Sequence, residues 1–390
     1  MENATKLRID RLHLSNIGGF REMEIKFGPN LNIICGPNGV GKTTILDAIG
    51  AIFVANYSLN YLRRRAESDK GQVSYSVISN GIIIEGSGEL SNFEPNEGAS
   101  PFGRDENAAT NLIYVKSNRD FGYTRLDGVL RDPARQSHDY QMDAMNGIAV
   151  TNVKQWFSNR YLMQPHGEHW PHYRITNLEL ARTFFSLLDP DVSLSHVDSS
   201  SFDVLLNTPS GLIPYEYMSA GFRTSYSLIF GILKEIEFRK LEVAASDFTG
   251  LILVDELDMH LHPTWHGRML VALQTAYPRA QIVVSTHSPH MIQHARPDNL
   301  IILPRQGSQP RTLDGVDSKY GLIGWTIEEI LRDVMGMDDP RPPAFAHIME
   351  RYENAVTKQD KQAINAARKE LFKALHPSSV VRQIIEIESI

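Results

Sequence analysis

Cysteine is almost missing from this sequence. Cys35 is the one cysteine among 390 residues, so the chain cannot form an internal disulfide. Chains without disulfides are typical of reducing compartments. We therefore expect a cytoplasmic protein in which Cys35 is a small, buried core residue.

Long apolar runs are also missing. No run reaches the roughly 18 apolar residues that a membrane-spanning helix needs, so we expect no membrane partner. The first residues, Met1 to Lys6, are polar and lack the basic and then apolar order of a secretory signal. No heptad pattern is long enough for an extended coiled coil.

An excess of basic charge is missing as well. The formal net charge of −7 argues against a surface coated with basic residues for binding nucleic acid. A local basic patch is compatible with that total. Arg63, Arg64 and Arg65 could contact nucleic-acid phosphates, or they could form a solvated helix end.

Glycine is concentrated in one motif near the start of the chain. Residues 36–43 fit the pattern G-x-x-x-x-G-K-[ST] between a predicted strand and a predicted helix, which is the setting of a P-loop. Its glycines let backbone N–H groups surround phosphate oxygens, and the helix N-terminus points at the same anion. We expect Lys42 to reach the β- and γ-phosphates of ATP and Thr43 to bind Mg²⁺. The predicted nucleotide-binding residues are Gly36, Pro37, Asn38, Gly39, Val40, Gly41, Lys42, Thr43 and Thr44.

An apolar segment at 251–254 reads as a buried strand and ends in two carboxylates. Successive side chains on a strand point to opposite faces, so Asp255 and Glu256 should diverge. We expect Asp255 to hold Mg²⁺ together with Thr43. We expect Glu256 to polarise the water that attacks ATP.

Two later segments resemble motifs of the ABC-type ATPase heads. The first precedes an amphipathic helix predicted at 222–239 and resembles the signature motif. The resemblance implies that its Ser219 and Gly221 contact the γ-phosphate held by the P-loop of a partner subunit. The second follows a predicted strand at 281–285, and its His287 resembles the switch histidine that bonds the γ-phosphate or the lytic water. By residue type alone, Ser219 could be an ordinary helix N-cap and His287 a structural histidine.

The segment from Asp258 to Pro263 lies where these heads have their D-loop. His260 and His262 could suggest a metal site, but the Leu-His-Pro turn is similar to that of OLD-like and RecF-like ATPases, which implies a place at a dimer interface. With the opening segment 14–20, this turn indicates the RecF, SMC and OLD-like branch. The gap between P-loop and signature is too short for an SMC coiled coil. A TOPRIM nuclease domain is not indicated, because the tail offers only Asp338 and Asp339 between helices.

Over both predicted ATPase lobes, roughly 1–130 and 211–305, the chain resembles the compact ATPase subunits of bacterial antiphage systems, such as the PtuA group of Septu. The resemblance implies an α/β fold: an ABC-type P-loop ATPase head whose mixed sheet has antiparallel N-terminal strands and a parallel core. We expect four regions, namely lobe I at 1–130, a helical insert at 131–210, lobe II at 211–320 and a helical C-terminal region at 321–390. A Q-loop residue is not evident, and Asn118 or Arg119 could take its place.

The implied activity is ATP hydrolysis with ATP and Mg²⁺ as cofactors. Each active site would close between the two chains of a homodimer or within a higher homo-oligomer. We expect a nucleotide-gated switch for a separate effector, a nuclease or toxin, in antiphage defence. The alternative is a RecF-like, DNA-binding ATPase of repair or recombination.

One further cluster could bind a metal. His166, His169 and His172 surround Glu168 at three-residue spacing. Neighbouring prolines and a glycine prevent a single helix from aligning them, so a metal site is the weaker interpretation.

Overall fold

The computed structural model describes residues 6–103, 108–117, 123–305, 309–313, 316, 319–337 and 341–387. These residues divide into two compact units. The first unit runs to Ile330 and includes 334–336, and the second consists of 331–333 and the chain from Met337 onward.

The first unit contains twelve strands within its described residues. In chain order they are β1 (Leu7–Ile17), β2 (Phe20–Lys26), β3 (Leu31–Cys35), β4 (Gly71–Ser79), β5 (Ile82–Leu90), β6 (Leu112–Val115), β7 (Ser193–Val197), β8 (Val204–Thr208), β9 (Gly211–Pro214), β10 (Leu251–Val254), β11 (Gln281–Ser285) and β12 (Leu300–Ile302).

The helices are α1 (Lys42–Ala51), α2 (Ser137–Asn146), α3 (Val153–Met163), α4 (His172–Leu188), α5 (Ala220–Phe238), α6 (Pro263–Ala276), α7 (Pro289–Gln293), α8 (Ile327–Glu329), α9 (Pro343–Thr357), α10 (Lys361–Ala374) and α11 (Val380–Ile387). None of these described helices combines the length and apolarity required to span a bilayer.

An antiparallel sheet with the order β2-β1-β4-β5 is built from strands that alternate buried and exposed residues. The predicted hairpin turn between β4 and β5 is confirmed, because Asn80 and Gly81 both have positive φ angles, 50° and 81°. This sheet packs its apolar face into the core of the first unit.

A parallel sheet with the order β12-β3-β11-β10-β6 forms the second layer. The edge strand β6 and the inner strands β10 and β11 are buried along their whole length. The sequences at 251–254 and 281–285 predicted this for β10 and β11. All five carboxyl ends lie at one edge, where the loops that follow β3, β10 and β11 come together. The predicted α/β class, with antiparallel N-terminal strands and a parallel core, is confirmed.

The stretch 131–210, predicted as a helical insert, is only partly helical. It contains α2, α3 and α4, but it also contributes β7 and β8 to a three-stranded antiparallel sheet that β9 completes. The segment around β7 has no clean alternation of apolar and polar residues, which is why its sequence did not indicate a strand.

Buried charges and aromatic rings join this stretch to α5. Glu237 on α5 accepts hydrogen bonds from Arg160 Nε at 2.8 Å, Trp156 Nε1 at 3.0 Å and Asn177 Nδ2 at 3.1 Å. Glu235 accepts from Arg135 Nη1 at 2.9 Å. An aromatic cluster continues the contact and consists of Trp156, Phe157, Phe184, Phe185, Tyr226 and Phe230.

The second unit has its own small core. Its three helices all contribute buried residues: Tyr352 and Ala355 of α9, Ala367 and Leu371 of α10, and Ile385 of α11. Before this unit, Thr326 and Glu329 form a capping box, because their side chains accept from each other's backbone N–H groups. The helix that follows α8 is a π-helix at Ile330–Val334.

Candidate nucleotide site

The P-loop joins β3 to α1 through backbone that only glycine adopts easily. Gly36 has φ 143°, and a Cβ there would lie 2.5 Å from the carbonyl oxygen of Leu303. Gly41 has φ 98°, and its Cβ would lie 2.6 Å from the Phe20 ring. Side chains at these positions would therefore displace the loop, whose form the two glycines maintain.

Lys42 is 5% exposed and turns back over the loop. Its Nζ donates to the carbonyl oxygens of Gly36 and Pro37, both at 2.8 Å. Burial lowers the pKa of Lys42 from 10.5 to about 8, and nearby Cys35, Asp258, Glu256 and Asp255 act in the opposite direction. A cation held over the loop by two carbonyl oxygens is well placed to meet phosphate oxygens.

Asp255 lies at the carboxyl end of β10 and is 2% exposed. Thr43 Oγ1 donates toward its carboxylate, at 3.0 Å from Oδ2 and 3.2 Å from Oδ1. Ser285 Oγ, at the end of the neighbouring strand β11, donates to Oδ1 at 2.6 Å. The structure thus brings together the two residues predicted to bind metal.

The donor set at Thr43 and Asp255 fits Mg²⁺. This cation prefers hard oxygen ligands, and it is usually held by one or two protein carboxylates together with substrate phosphates and water. A carboxylate and an exposed hydroxyl, side by side at the start of α1, provide such oxygens next to the P-loop.

Glu256 follows Asp255 in a left-handed backbone conformation, with φ 47°. Its N–H donates to Ser285 Oγ at 2.7 Å, and its side chain is half-buried. The chain therefore changes direction directly after Asp255, and the divergence of the two carboxylates stays a prediction.

His287 lies in the loop after β11. Its Nδ1 is buried and has no hydrogen-bond partner within the described part of the chain. Burial lowers the pKa of His287, and the positive charge of Lys42 lowers it further, so the imidazole is neutral at neutral pH. The influence of Lys42 places His287 in the same electrostatic environment as the P-loop.

The D-loop contacts the His287 loop directly. Asp258 Oδ1 accepts from Thr286 Oγ1 at 2.7 Å and from the His287 N–H at 3.1 Å. His260 has φ 63° and is exposed, and its carbonyl oxygen lies 3.0 Å from the Cβ position of Gly221. The start of α5 therefore packs on the D-loop of the same chain.

Ser219 is exposed at the N-terminus of α5, where its Oγ accepts from the Phe222 N–H at 3.3 Å. Phe222, which replaces the usual acidic residue of the signature, is fully buried and packs against Tyr226 and Trp265. Phe222 thus anchors α5 to the core, while Ser219 stays accessible.

Sequence reasoning missed a charged group behind the P-loop. Asp47 on α1 pairs with Lys116 at 2.9 Å and accepts from the Tyr114 hydroxyl at 3.0 Å. Burial raises the pKa of Asp47. Lys116 follows β6, so this group joins α1 to the edge of the parallel sheet. The sequence shows that Lys116 follows an apolar segment, but it does not show that Asp47 is the partner of Lys116.

The arginine run at 63–65 is not a helix end. It lies in a loop, and its guanidinium groups donate to backbone carbonyls of Leu62, Gly19 and Ser68. The Arg65 contact, together with the bond from the Gly18 N–H to the Arg63 carbonyl oxygen, stabilises the turn between β1 and β2, which adjoins α1 through Gly18 and Thr44. The run therefore has a structural role that its sequence did not indicate.

Three other sequence predictions concern side chains elsewhere. Within the described ranges, no three or more His, Cys, Asp or Glu side chains are grouped as a metal site, either at 166–172 or at the D-loop. The candidate Q-loop residues Asn118 and Arg119 lie outside the described residues, as do Asp338 and Asp339.

Two family models match this chain. A model described as "AAA domain" matches residues 11–159, and one described as "AAA domain, putative AbiEii toxin, Type IV TA system" matches residues 171–292. The first range contains the P-loop. The second contains Ser219, Asp255, Glu256 and His287.

Similar proteins include a relative along nearly the whole chain. The Septu protein PtuA of Bacillus thuringiensis is 37% identical over 390 residues, which is 98% of each chain. The Retron Ec83 probable ATPase of Escherichia coli is 26% identical over 183 residues, 46% of this chain and 32% of that protein. The SMC head domain from Thermotoga maritima, a solved structure, has 18% identity and a TM-score of 0.43 over 79% of this chain and 99% of that one.

Proposed function

We propose that this chain, which belongs to the PtuA family of Septu proteins and is an ATPase, binds ATP with Mg²⁺ and closes as a pair of chains around it. Each chain supplies the P-loop half of one site and the signature half of the other. In this way ATP becomes part of the interface, and its hydrolysis releases the pair.

The observation that supports this proposal is the set of surroundings in which the predicted site residues lie. Lys42, Thr43, Asp255 and Glu256 are gathered at the carboxyl edge of the parallel sheet. Ser219 is instead exposed at a helix N-terminus that carries a partial positive charge and has free N–H groups for an anion. Two residues before it, Tyr217 is 73% exposed, so this surface is accessible to a second chain.

The roles of the residues follow from their surroundings. The loop N–H groups and Lys42 bind the phosphates, and Thr43 and Asp255 hold Mg²⁺, which neutralises phosphate charge. Glu256, which follows Asp255 at the end of β10 and is half-buried, orients water for attack. Neutral His287 uses its buried nitrogen to bond the γ-phosphate or that water.

The test compares Glu256→Gln with wild type and with Lys42→Ala. With ATP and Mg²⁺, Glu256→Gln should accumulate as a stable dimer, because it binds nucleotide but cannot polarise water. Multi-angle light scattering measures the mass, and phosphate release measures turnover. Lys42→Ala should bind no ATP and stay at its nucleotide-free mass.

A third variant tests the segment around Ser219, which resembles the signature motif. Ser219→Arg places a bulky cation at the exposed start of α5, so it should leave ATP binding to the P-loop intact and prevent dimerisation. An ATP-bound Glu256→Gln chain that stays monomeric, or a Ser219→Arg/Glu256→Gln chain that still dimerises, contradicts the divided site.

We also propose that this cycle controls a separate effector, a nuclease or toxin, in antiphage defence. Membership of the PtuA family supports the defence role. The buried links between 131–210 and α5 support the control, since an effector bound to that stretch would sense movement of the signature. Copurification of the native complex with and without ATP tests this: the effector should be retained in both states, and its activity should change with nucleotide.

A further inference from the structure

The loop after β11 carries His287 and is called the switch loop below. Its residues 286, 287 and 288 are each bonded to the D-loop or to the first turn of α6. Thr286 and His287 bond to Asp258. Ser288 bonds through its hydroxyl to Nδ1 of His266, at 2.5 Å. His266 is 7% exposed, so the bond between Ser288 and His266 is sheltered from water.

His266 links two loops that are distant in sequence. Its Nε2 lies 3.1 Å from the carbonyl oxygen of Leu261 in the D-loop. A carbonyl only accepts, so Nε2 carries the proton, and in the neutral ring Nδ1 then accepts from the Ser288 hydroxyl. Burial lowers the pKa of His266, in agreement with a neutral ring.

The D-loop end of this link adjoins the signature. Leu261 Cα lies 3.6 Å from the Cβ position of Gly221, beside the contact with His260. His266 therefore stands between the loop that carries His287 and the loop on which the start of α5 packs.

We propose that His266 is a positioning residue for ATP hydrolysis, which holds the switch loop and the D-loop at a fixed separation so that His287 meets the nucleotide in the productive position. The inference rests on the proposed role of His287. In this role His266 acts through its bonds to Ser288 and Leu261.

The test uses two substitutions of similar volume. His266→Leu fills the buried space and removes both bonds, whereas His266→Gln keeps one acceptor and one donor at the end of the side chain. His266→Leu should lower kcat by roughly tenfold or more, because small displacements of groups around a reacting centre slow the reaction strongly. The Kd for ATP should change by less than about twofold, since the P-loop is untouched. His266→Gln should recover most of kcat.

A matched control is His290→Leu. The His290 ring centroid lies 6.1 Å from that of His266, but His290 is outside the Ser288–His266–Leu261 link, so kcat should stay near wild type. Wild-type kcat in His266→Leu overturns the inference. So does a loss of ATP binding and thermal stability in both His266 variants alike, which indicates a structural role only.

The variant His287→Ala distinguishes the positioning role of His266 from the proposed role of His287, on which it rests. If His287→Ala turns over ATP at the wild-type rate, the proposed role of His287 fails. If His287→Ala is slow and His266→Leu is fast, only the positioning role of His266 fails.

Discussion

At the scale of single residues, the buried ammonium of Lys42 ties nucleotide affinity to pH. Its pKa of about 8 lies below the ordinary value for lysine because burial disfavours the charge. Bound phosphates favour the charged form, so binding raises this pKa and takes up a proton. Affinity is then full below about pH 8 and falls as pH rises through that value.

The expected change is about a tenfold rise in the Kd for ATP between about pH 7.5 and about pH 9. Isothermal titration calorimetry measures it, and buffers of different ionisation enthalpy should show the uptake of protons near pH 8. Lys42→Arg is the control, because guanidinium stays charged over this range. A Kd that is equal at both pH values in wild type would argue that Lys42 is charged throughout.

The limits of sequence reasoning are also visible at this scale. Four site residues were predictable because a sequence motif fixes their positions relative to the strand that precedes them: Lys42, Thr43, Asp255 and Glu256. Ser285 was not, although it bonds to Asp255, since that contact depends on β10 and β11 being neighbours. His266 was missed for the same reason: its two partners come from separate loops.

At the scale of elements, the strands at 251–254 and 281–285 were predictable to the residue. At 251–254 a wholly apolar run between Gly250 and Asp255 leaves little choice of ends. β12 was missed because three apolar residues are too short a pattern to interpret. The ends of α5 shifted from the predicted 222–239 by one or two residues, where capping rather than periodicity decides.

The turn that leads into the signature depends on a buried ion pair. Lys154 on α3 has a side chain 2% exposed, and its Nζ lies 2.5 Å from Glu216 and 2.6 Å from Asp203. Burial raises the pKa of Glu216, and Lys154 counteracts that rise. Glu216 precedes Ser219 by three residues, so this pair attaches the signature turn to the insert.

Lys154→Met should lower the free energy of unfolding by about 3 to 5 kcal/mol, because it leaves a buried carboxylate without its cation. The double variant Lys154→Met/Glu216→Gln removes that uncompensated charge, and it should recover part of the loss. Urea denaturation followed by circular dichroism measures both. Equal losses in the single and double variants would mean that Glu216 is not the charge that matters.

At the scale of the whole molecule, charge favours a protein partner over DNA. The net charge is −7, and the arginine run at 63–65 is engaged with backbone carbonyls. We expect double-stranded DNA to change the ATPase rate by less than about twofold at low and at moderate salt, because the excess of negative charge on the protein repels the phosphate backbone. Stimulation that falls steeply with salt would instead support a DNA-binding function.

The left-handed backbone at Glu256 has a consequence for the stability of the entire chain. A side chain such as glutamate is disfavoured in this conformation by about 1 to 2 kcal/mol, whereas asparagine tolerates it better. Glu256→Asn should therefore melt at a higher temperature than either wild type or Glu256→Gln in differential scanning calorimetry, while it hydrolyses no ATP. A lineage selected for heat resistance alone would drift toward an inert protein, and the persistence of this glutamate would mark descendants that still depend on turnover.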